Sequence, residues 1–419
     1  MERYEFGEFT LDVSERRLSR LGAPVALAPK TYEVLLALVR KGGRLVSTGD
    51  LLQQVWPECF VDRNILAVHI SGLRKALGGP SWIETVPRAG YRFAKPAVSP
   101  AVWEHCERGR ASLLAVSMTE APHAAAAYQE AIQLDPAYAP AHAGLALAWR
   151  QHAQLRVIPH TVAYERAKAA ALTALALDPT SADAQVALGS VLFLVEWNWP
   201  AAERSFRRAL ESDPAHVDAY LEYGSLLEAC GDLDRGLALK LQALELRPQS
   251  PLVLLAISMS HWYQRRYDDS IQWAGRALAL DPKHLLAQEH LAGAYWAKGD
   301  YDRQMQVSLK HAETYGAPPE MLDLLRRLYA EGGRGAVVRY AIEHTPRTAH
   351  LPRAIFHAEL GELDQAFEHL EGALAGRDPC VAHLGVSPQW NSLRSDPRFQ
   401  GCLAKMGLPE ASLTAGQEG

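Results

Sequence analysis

Hydrophobic and polar positions alternate over the first 27 residues of the chain and then follow a helical period. Short alternating runs separated by Gly, Ser and Pro predict a small antiparallel sheet over residues 4–27. Apolar residues at spacings of three and four then predict helices over residues 29–40, after Ser47, and over residues 62–77. Two β-rich runs around Pro-Arg-Ala-Gly predict a hairpin over residues 83–93. This order of elements is typical of a winged helix-turn-helix.

From about residue 101 the hydrophobic pattern is helical and repeats along the chain. A helix end followed by proline recurs at spacings of 43, 35, 34 and 34 residues. The prolines at these five helix ends are Pro136, Pro179, Pro214, Pro248 and Pro282. A period of about 34 residues with paired helices is typical of tetratricopeptide repeats. The longer first spacing predicts an insertion near residues 154–161, and degenerate units are expected near residues 317–345 and 360–367.

These patterns predict a multidomain protein with two different folds. We expect an α+β winged helix-turn-helix domain over residues 1–96 and an all-α tetratricopeptide-repeat solenoid, the repeat array, over residues 101–406. Residues 97–100 are interpreted as a linker because they lie in the stretch Pro-Ala-Val-Ser-Pro. Residues 407–419 are expected to form a disordered tail.

Charge is divided unevenly between the two predicted domains. The whole chain has a net charge of −5, yet residues 1–96 hold 14 Lys and Arg against 10 Asp and Glu. The remainder holds 29 basic against 38 acidic residues. Only the first domain therefore has the excess of positive charge that favours contact with nucleic-acid phosphates. The five cysteines show no metal-ligand spacing, and we expect neither a metal nor a cofactor. Without an apolar leader or a membrane-spanning stretch, a cytoplasmic protein is expected.

The predicted helix over residues 62–77 has one apolar and one polar face. Its apolar face, which should enter the core, consists of Leu66, Ile70, Leu73 and Leu77. The opposite face carries Asn64, Val68 and Ser71. In a major groove, Asn64 can form hydrogen bonds with an adenine edge, and Val68 can touch a thymine methyl group. The Ser71 hydroxyl can pair with either a donor or an acceptor on a base.

Basic residues surround this polar face. The side chains expected to reach DNA phosphates are those of Arg63, His69, Arg74 and Lys75. Arg88 and Arg92 lie on the predicted hairpin, from which a wing can deliver arginine to a minor groove. Between Arg63 and Lys95 the chain has six basic residues and a single acid, Glu84. The pattern therefore favours DNA binding over an ordinary solvated helix and hairpin.

Three stretches, in this order and spacing, carry a family resemblance. The first is LAPKTYEVLL, which begins at Leu27. The second consists of VHI at residues 68–70 and LRKAL at residues 73–77, and the third of IETV at residues 83–86 and GYRF at residues 90–93. With them, residues 4–95 resemble the OmpR/PhoB-type effector domain of two-component response regulators. Because the resemblance begins almost at the first residue, we expect no receiver domain with its phosphorylated aspartate.

The resemblance implies a recognition helix at residues 62–77, a minor-groove arginine at Arg92, and a loop at residues 56–61 that touches RNA polymerase. This sequence departs from the family at the recognition helix. PhoB itself carries arginines at the positions of Asn64, Ser71 and Gly72, so its base contacts do not transfer to this chain. We therefore expect a different sequence preference.

One position in the first helix of successive repeats forms an aromatic stripe in the repeat array. The residues at this position are Phe193, Glu228, Trp262 and Trp296, and neighbouring positions include Met259 and Tyr263. Two interpretations are open. The stripe either packs between adjacent repeats or lines an apolar groove for a peptide or helix of a partner protein.

The leading hypothesis is a bacterial, sequence-specific transcription regulator and not an enzyme. Its expected partners are double-stranded DNA, RNA polymerase through residues 56–61, a protein or peptide ligand of the repeat array, and a second copy of the chain in a homodimer, with no membrane. The alternative is a scaffold or adaptor whose winged-helix domain contacts protein instead of DNA.

Overall fold

The computed structural model describes residues 3–7, 9–41, 43, 45–57, 61, 63–78, 82–87, 89–94, 100–114 and 119–408, without the side chains of Glu5, Arg63, Asn64 and Pro100. Several predicted features lie outside this description, namely Arg88, residues 58–60, 97–99 and 409–419, and the side chains of Arg63 and Asn64. The chain divides into two compact units, Met1–Gly144 and Leu145–Gly419, which are described separately.

The first unit opens with a four-stranded antiparallel sheet. Its strands are β1 (Arg3–Phe6), β2 (Phe9–Asp12), β3 (Arg17–Arg20) and β4 (Ala23–Val25), each paired with the next. Gly7, between β1 and β2, has a φ of +57°, and a Cβ there would lie 2.6 Å from the Trp82 ring. Glycine is therefore required at this turn, both for its backbone conformation and for the close approach of the indole.

Three helices and a second antiparallel sheet complete the predicted winged helix-turn-helix. The helices are α1 (Pro29–Arg40), α2 (Thr48–Val55) and α3 (Arg63–Ala76). The second sheet has the order β5-β7-β6, with β5 (Val46–Ser47), β6 (Ile83–Val86) and β7 (Gly90–Phe93). Ser47 also caps α2, because its hydroxyl accepts a hydrogen bond of 3.0 Å from the backbone N–H of Asp50.

Both sheets and all three helices contribute to one hydrophobic core. Its fully buried side chains include Leu11, Leu18, Leu35, Leu38, Leu51, Leu66, Leu73, Ile83 and Phe93. Burial of such a side chain contributes about 1.5–3 kcal/mol. Since α3 and the β6–β7 hairpin share this core, they form one rigid surface.

The first unit continues into α4 (Pro100–Leu114), α5 (Ala121–Leu134) and the start of α6 (Ala139–Gln154). The Tyr128 ring packs against glycines of both neighbouring helices. A Cβ at Gly109 or Gly144 would lie 2.8 or 2.2 Å from this ring. Small residues at these crossings therefore allow the three helices to approach closely.

The second unit, which includes the rest of α6, consists of helices that pack in consecutive pairs. They are α7 (His160–Leu177), α8 (Ala182–Leu194), α9 (Trp199–Ser212), α10 (Val217–Ala229), α11 (Leu233–Leu246), α12 (Pro251–Tyr263), α13 (Tyr267–Leu280), α14 (Leu285–Lys298), α15 (Tyr301–Thr314), α16 (Pro319–His344), α17 (His350–Glu359), α18 (Leu363–Ala375) and α19 (Pro397–Lys405). The predicted combination of an α+β winged helix-turn-helix with an all-α repeat array is confirmed.

The recurring helix end has a clear structural basis. Asp135, Asp178, Asp213 and Asp281 each have an extended backbone, as expected before proline. Each carboxylate accepts a hydrogen bond of 3.0–3.1 Å from the backbone N–H two residues further on. The aspartate and the proline thus end the helix together.

Two features depart from the regular repeat. The insertion lengthens α6 to 16 residues and α7 to 18 residues, whereas α8–α15 have 13 or 14. Helix α16 is broken at Gly333, whose φ of +60° and ψ of −159° favour glycine.

Among the described residues, none of the helices combines the length and apolar character needed to cross a membrane.

Residues 376–393, here called the return segment, were not predicted as a distinct element. They contain two 3-10 helices, Pro379–His383 and Pro388–Leu393. Val381, Leu384 and Trp390 are fully buried in a core that also contains residues of α8, α9, α10, α17, α18 and α19. The return segment therefore joins early and late helices of the second unit.

Candidate nucleic-acid interface and repeat groove

Helix α3 presents one face to the core and the opposite face to solvent. Leu66 and Ile70 are no more than 1% exposed, whereas Val68 is 69% exposed. Ser71 and Lys75 are also exposed, and a Cβ at Gly72 would meet no atom within 4 Å. The structure thus leaves Val68, Ser71 and Lys75 accessible, in agreement with the helical period of the sequence.

His69 lies differently from the sequence prediction. Its Nδ1 is 2.8 Å from the Thr31 hydroxyl, and its ring centroid is 5.3 Å from that of Trp56. Burial lowers the pKa of His69 below its ordinary value, so the ring is uncharged at neutral pH. His69 thus links α3 to α1 in the free protein, an arrangement that does not favour the predicted phosphate contact.

Arg74 is also engaged within the protein. Its Nε and Nη2 donate hydrogen bonds of 3.0 and 2.6 Å to the carbonyl oxygen of Ile83, and Nη2 donates one of 2.8 Å to the Thr85 hydroxyl. The guanidinium thereby connects α3 to β6. In the free protein Arg74 thus holds α3 against β6, an arrangement that does not favour the predicted phosphate contact.

Arg92 is paired with the single acid of this region. Its Nε and Nη2 donate to the same carboxylate oxygen of Glu84, at 2.9 and 2.7 Å. The two side chains are 42% and 49% exposed. Arg92 therefore faces solvent on the hairpin, as predicted, but its charge is neutralised in the free protein.

The loop predicted at residues 56–61 is described only at Trp56, Pro57 and Val61. Beside it, Lys30 donates hydrogen bonds of 2.6 Å to the Val55 carbonyl oxygen and 2.8 Å to Glu33. The Lys30 ammonium also lies 5.8 Å from the centre of the Trp56 ring. These contacts fix the start of the loop to α1.

Part of the aromatic stripe is covered in the structure. Phe193 is fully buried and packs against Trp199 and His383, with ring centroids 5.8 and 5.6 Å apart. Trp262 and Tyr263 are 9% and 4% exposed and pack against Val386 of the return segment. The chain's own return segment covers these three residues, which neither interpretation of the stripe included.

Hydrogen bonds hold the return segment in this position. Arg265 donates hydrogen bonds of 2.6 Å to the Val386 carbonyl oxygen and 3.2 Å to the Asn391 side chain. His383 Nε2 lies 3.2 Å from the Ser225 carbonyl oxygen. Of the predicted groove residues, Met259 and Trp296 are only half-buried.

Sequence reasoning missed a buried ion pair at the same repeat position. The Lys240 ammonium lies 2.6 Å from the Glu228 carboxylate, and the side chains are 1% and 0% exposed. The Ser260 hydroxyl also donates to Glu228, and Lys240 donates a second bond of 3.2 Å to the Ala256 carbonyl oxygen. Burial raises the pKa of Glu228, while Lys240 and Ser260 oppose that shift. A charged residue within the apolar stripe was the available signal.

Two family descriptions match separate parts of the chain. Residues 22–93 match the family described as "Transcriptional regulatory protein, C terminal". Residues 198–251 and 255–315 match "Tetratricopeptide repeat".

Curated relatives are similar over about a quarter of the chain or less. The transcriptional regulatory protein CutR of Streptomyces coelicolor is 42% identical over 84 residues, which are 20% of this chain and 39% of CutR. The transcriptional activator CadC of Escherichia coli is 29% identical over 113 residues, which are 26% of this chain and 21% of CadC. The chain thus spans less than half of the length of these relatives.

Solved structures are also similar to part of the chain. The DNA-binding domain of Klebsiella pneumoniae RstA, in complex with the RstA box, is 31% identical and covers 22% of this chain and 98% of its own, with a TM-score of 0.21. A thermophilic tetratricopeptide-repeat protein of Thermus thermophilus is 19% identical and covers 47% of this chain and 100% of its own, with a TM-score of 0.39. From the matching families, the chain carries an OmpR/PhoB-type domain of the transcriptional regulatory protein family at its N-terminal end, followed by tetratricopeptide repeats.

Proposed function

We propose that this protein is a sequence-specific transcription regulator whose helix α3 enters a DNA major groove. The observation that carries the proposal is the solvent-exposed face of Val68, Ser71 and Lys75, opposite a fully buried face of the same helix. A major groove admits an α-helix, and a free helix face that offers methyl, hydroxyl and ammonium groups suits its base edges and phosphates.

Each DNA contact has a proposed role. Asn64, Val68 and Ser71 read bases, while Arg63 and Lys75 contact phosphates. Arg88 and Arg92 of the wing, residues 83–93, approach the minor groove. His69 and Arg74 hold α3 against α1 and β6, as their hydrogen bonds indicate.

The domain roles follow the predicted boundaries. Residues 1–96 would bind DNA, and the loop at residues 56–61 would contact RNA polymerase. The repeat array at residues 101–406, joined by residues 97–100, would bind a partner protein, receive a signal or form a homodimer. The return segment covers Phe193, Trp262 and Tyr263. A ligand of the repeat array would therefore bind a different surface of the array, one that includes the half-buried Trp296. A cytoplasmic location is part of this proposal.

One observation favours the adaptor alternative. Arg74 and Arg92 both have partners inside the first unit, so fewer basic side chains remain available to contact DNA phosphates. An adaptor would bind a protein surface through α3 and would not distinguish DNA sequences.

Selection of binding sites from random duplexes with the full-length protein tests the two functions. A regulator is expected to enrich a common sequence, and Asn64→Ala should relax the preference at one base pair by about 1–3 kcal/mol. Enrichment of no common sequence at low salt would contradict the proposed function and favour the adaptor.

A further inference from the structure

Glu84 and Arg92 stand directly opposite each other on the antiparallel strands β6 and β7. The neighbouring pair Ile83 and Phe93 is fully buried, and side chains alternate between the two faces of a strand. The ion pair therefore lies on the outer face of the wing, and both side chains are exposed.

Helix α3 cannot move freely away from this pair. Arg74 joins α3 to β6 through the Ile83 carbonyl oxygen and the Thr85 hydroxyl, and these residues flank Glu84 in the strand. When α3 lies in a major groove, the Glu84 carboxylate is thus carried to the DNA with Arg92. A duplex that binds the guanidinium must then compete with Glu84 for it.

Building on the proposed function, we propose that Glu84 is a specificity-determining residue that competes with DNA for Arg92 and so lowers the preference of the wing for A-tract DNA. An exposed ion pair is weak, so opening it reduces binding by a factor of about five or less. Narrow, A-tract minor grooves have an enhanced negative potential that attracts arginine. Such DNA can replace Glu84 as the partner of Arg92, but it bears the cost of opening the ion pair, whereas a wide groove leaves the pair closed and bears no such cost.

The test compares full-length parent, Glu84→Gln, Arg92→Ala and the double variant on an A-tract duplex and a G/C-rich duplex across a salt series. Glu84→Gln should raise affinity for the A-tract duplex by about two- to fivefold and for the G/C-rich duplex by about twofold or less. The preference for the A-tract duplex therefore rises. In the Arg92→Ala background, Glu84→Gln should change either affinity by less than about twofold.

Glu33→Gln is the matched control, since Glu33 on α1 also forms a surface ion pair with an arginine, Arg16. It should leave the preference unchanged, and all variants should keep the melting temperature of the parent. Weaker binding by Glu84→Gln, an unchanged preference, or a full effect without Arg92 would overturn the inference while the proposed function stands. A parent that forms no salt-dependent complex would overturn both.

Discussion

The rings of Tyr263 and His383 stack face to face, with centroids 5.0 Å apart and planes within 5° of parallel. Tyr263 ends α12, and His383 ends the first 3-10 helix of the return segment. In an ideal solenoid each repeat contacts only its neighbours. Here the return segment bridges distant helices, so we expect the second unit to unfold more cooperatively than an open repeat array.

Replacement of Trp390 by alanine tests whether the return segment stabilises the second unit in this way. Trp390 is fully buried in the core that the return segment shares with α8 and α10. We expect Trp390→Ala to lower the free energy of unfolding by about 3–5 kcal/mol in urea denaturation. Trp296→Ala, at a half-buried tryptophan, is the control and should cost distinctly less. Equal losses would contradict a bracing role for the return segment.

Stability should fall as the solution becomes acidic. Burial lowers the pKa of His290 to about 4 and that of His383 to about 3, from an ordinary value of 6.5. Because the unfolded chain binds these protons more readily, the stabilisation is complete above about pH 6.5 and is lost as pH falls toward these values.

The expected loss is at most about 1.4 kcal/mol per pH unit for each histidine within that range. Urea denaturation between pH 7.5 and 5 measures it, with His383→Gln as the comparison. This variant should depend less steeply on pH than the parent. Parallel pH profiles for the two proteins would rule out His383 as a contributor.

The buried pair of Glu228 and Lys240 should depend on both partners. Lys240→Met leaves a buried carboxylate without its cation and should lower the free energy of unfolding by about 3–5 kcal/mol. The double variant Glu228→Leu with Lys240→Met should be less destabilised than Lys240→Met alone, because it removes both desolvated charges. A double-mutant cycle in urea measures the coupling, and additive losses would contradict it.

Arg74 and Lys75 are neighbours whose replacement by alanine should change the free energy of unfolding by different amounts. Arg74→Ala removes the hydrogen bonds to β6 and leaves the Ile83 carbonyl oxygen without this donor, so it should lower the free energy of unfolding by about 1–3 kcal/mol. Lys75→Ala, at an exposed position, should change it by about 0.5 kcal/mol or less. Thermal denaturation of both variants checks this, and equal stability would show that Arg74 does not secure the wing.

Periodicity predicted the main elements because their signals are local. The spacing of Leu66, Ile70 and Leu73 fixed the buried face of α3, and the Asp-Pro helix ends located the repeats. Strand β5 was missed because two residues, Val46 and Ser47, are too few to show alternation.

Side-chain partners could not be predicted in the same way. The bond from Arg74 to Ile83 and the pair of Arg92 with Glu84 depend on how α3 and the hairpin pack, which periodicity does not specify. The cover over Phe193 comes from the return segment, far along the chain, and its short 3-10 helices carry no helical period.

DNA binding through α3 is tested by the salt dependence of DNA affinity. Full-length parent, Lys75→Ala and the control Lys283→Ala, an exposed lysine of the repeat array, are titrated with duplex DNA between about 50 and 200 mM salt. The account predicts a parent complex that weakens steeply with salt, and a slope of log K against log salt that is smaller in magnitude by about 0.9 for Lys75→Ala alone. Absence of a complex at low salt, or the same slope for all three proteins, would contradict DNA binding through α3.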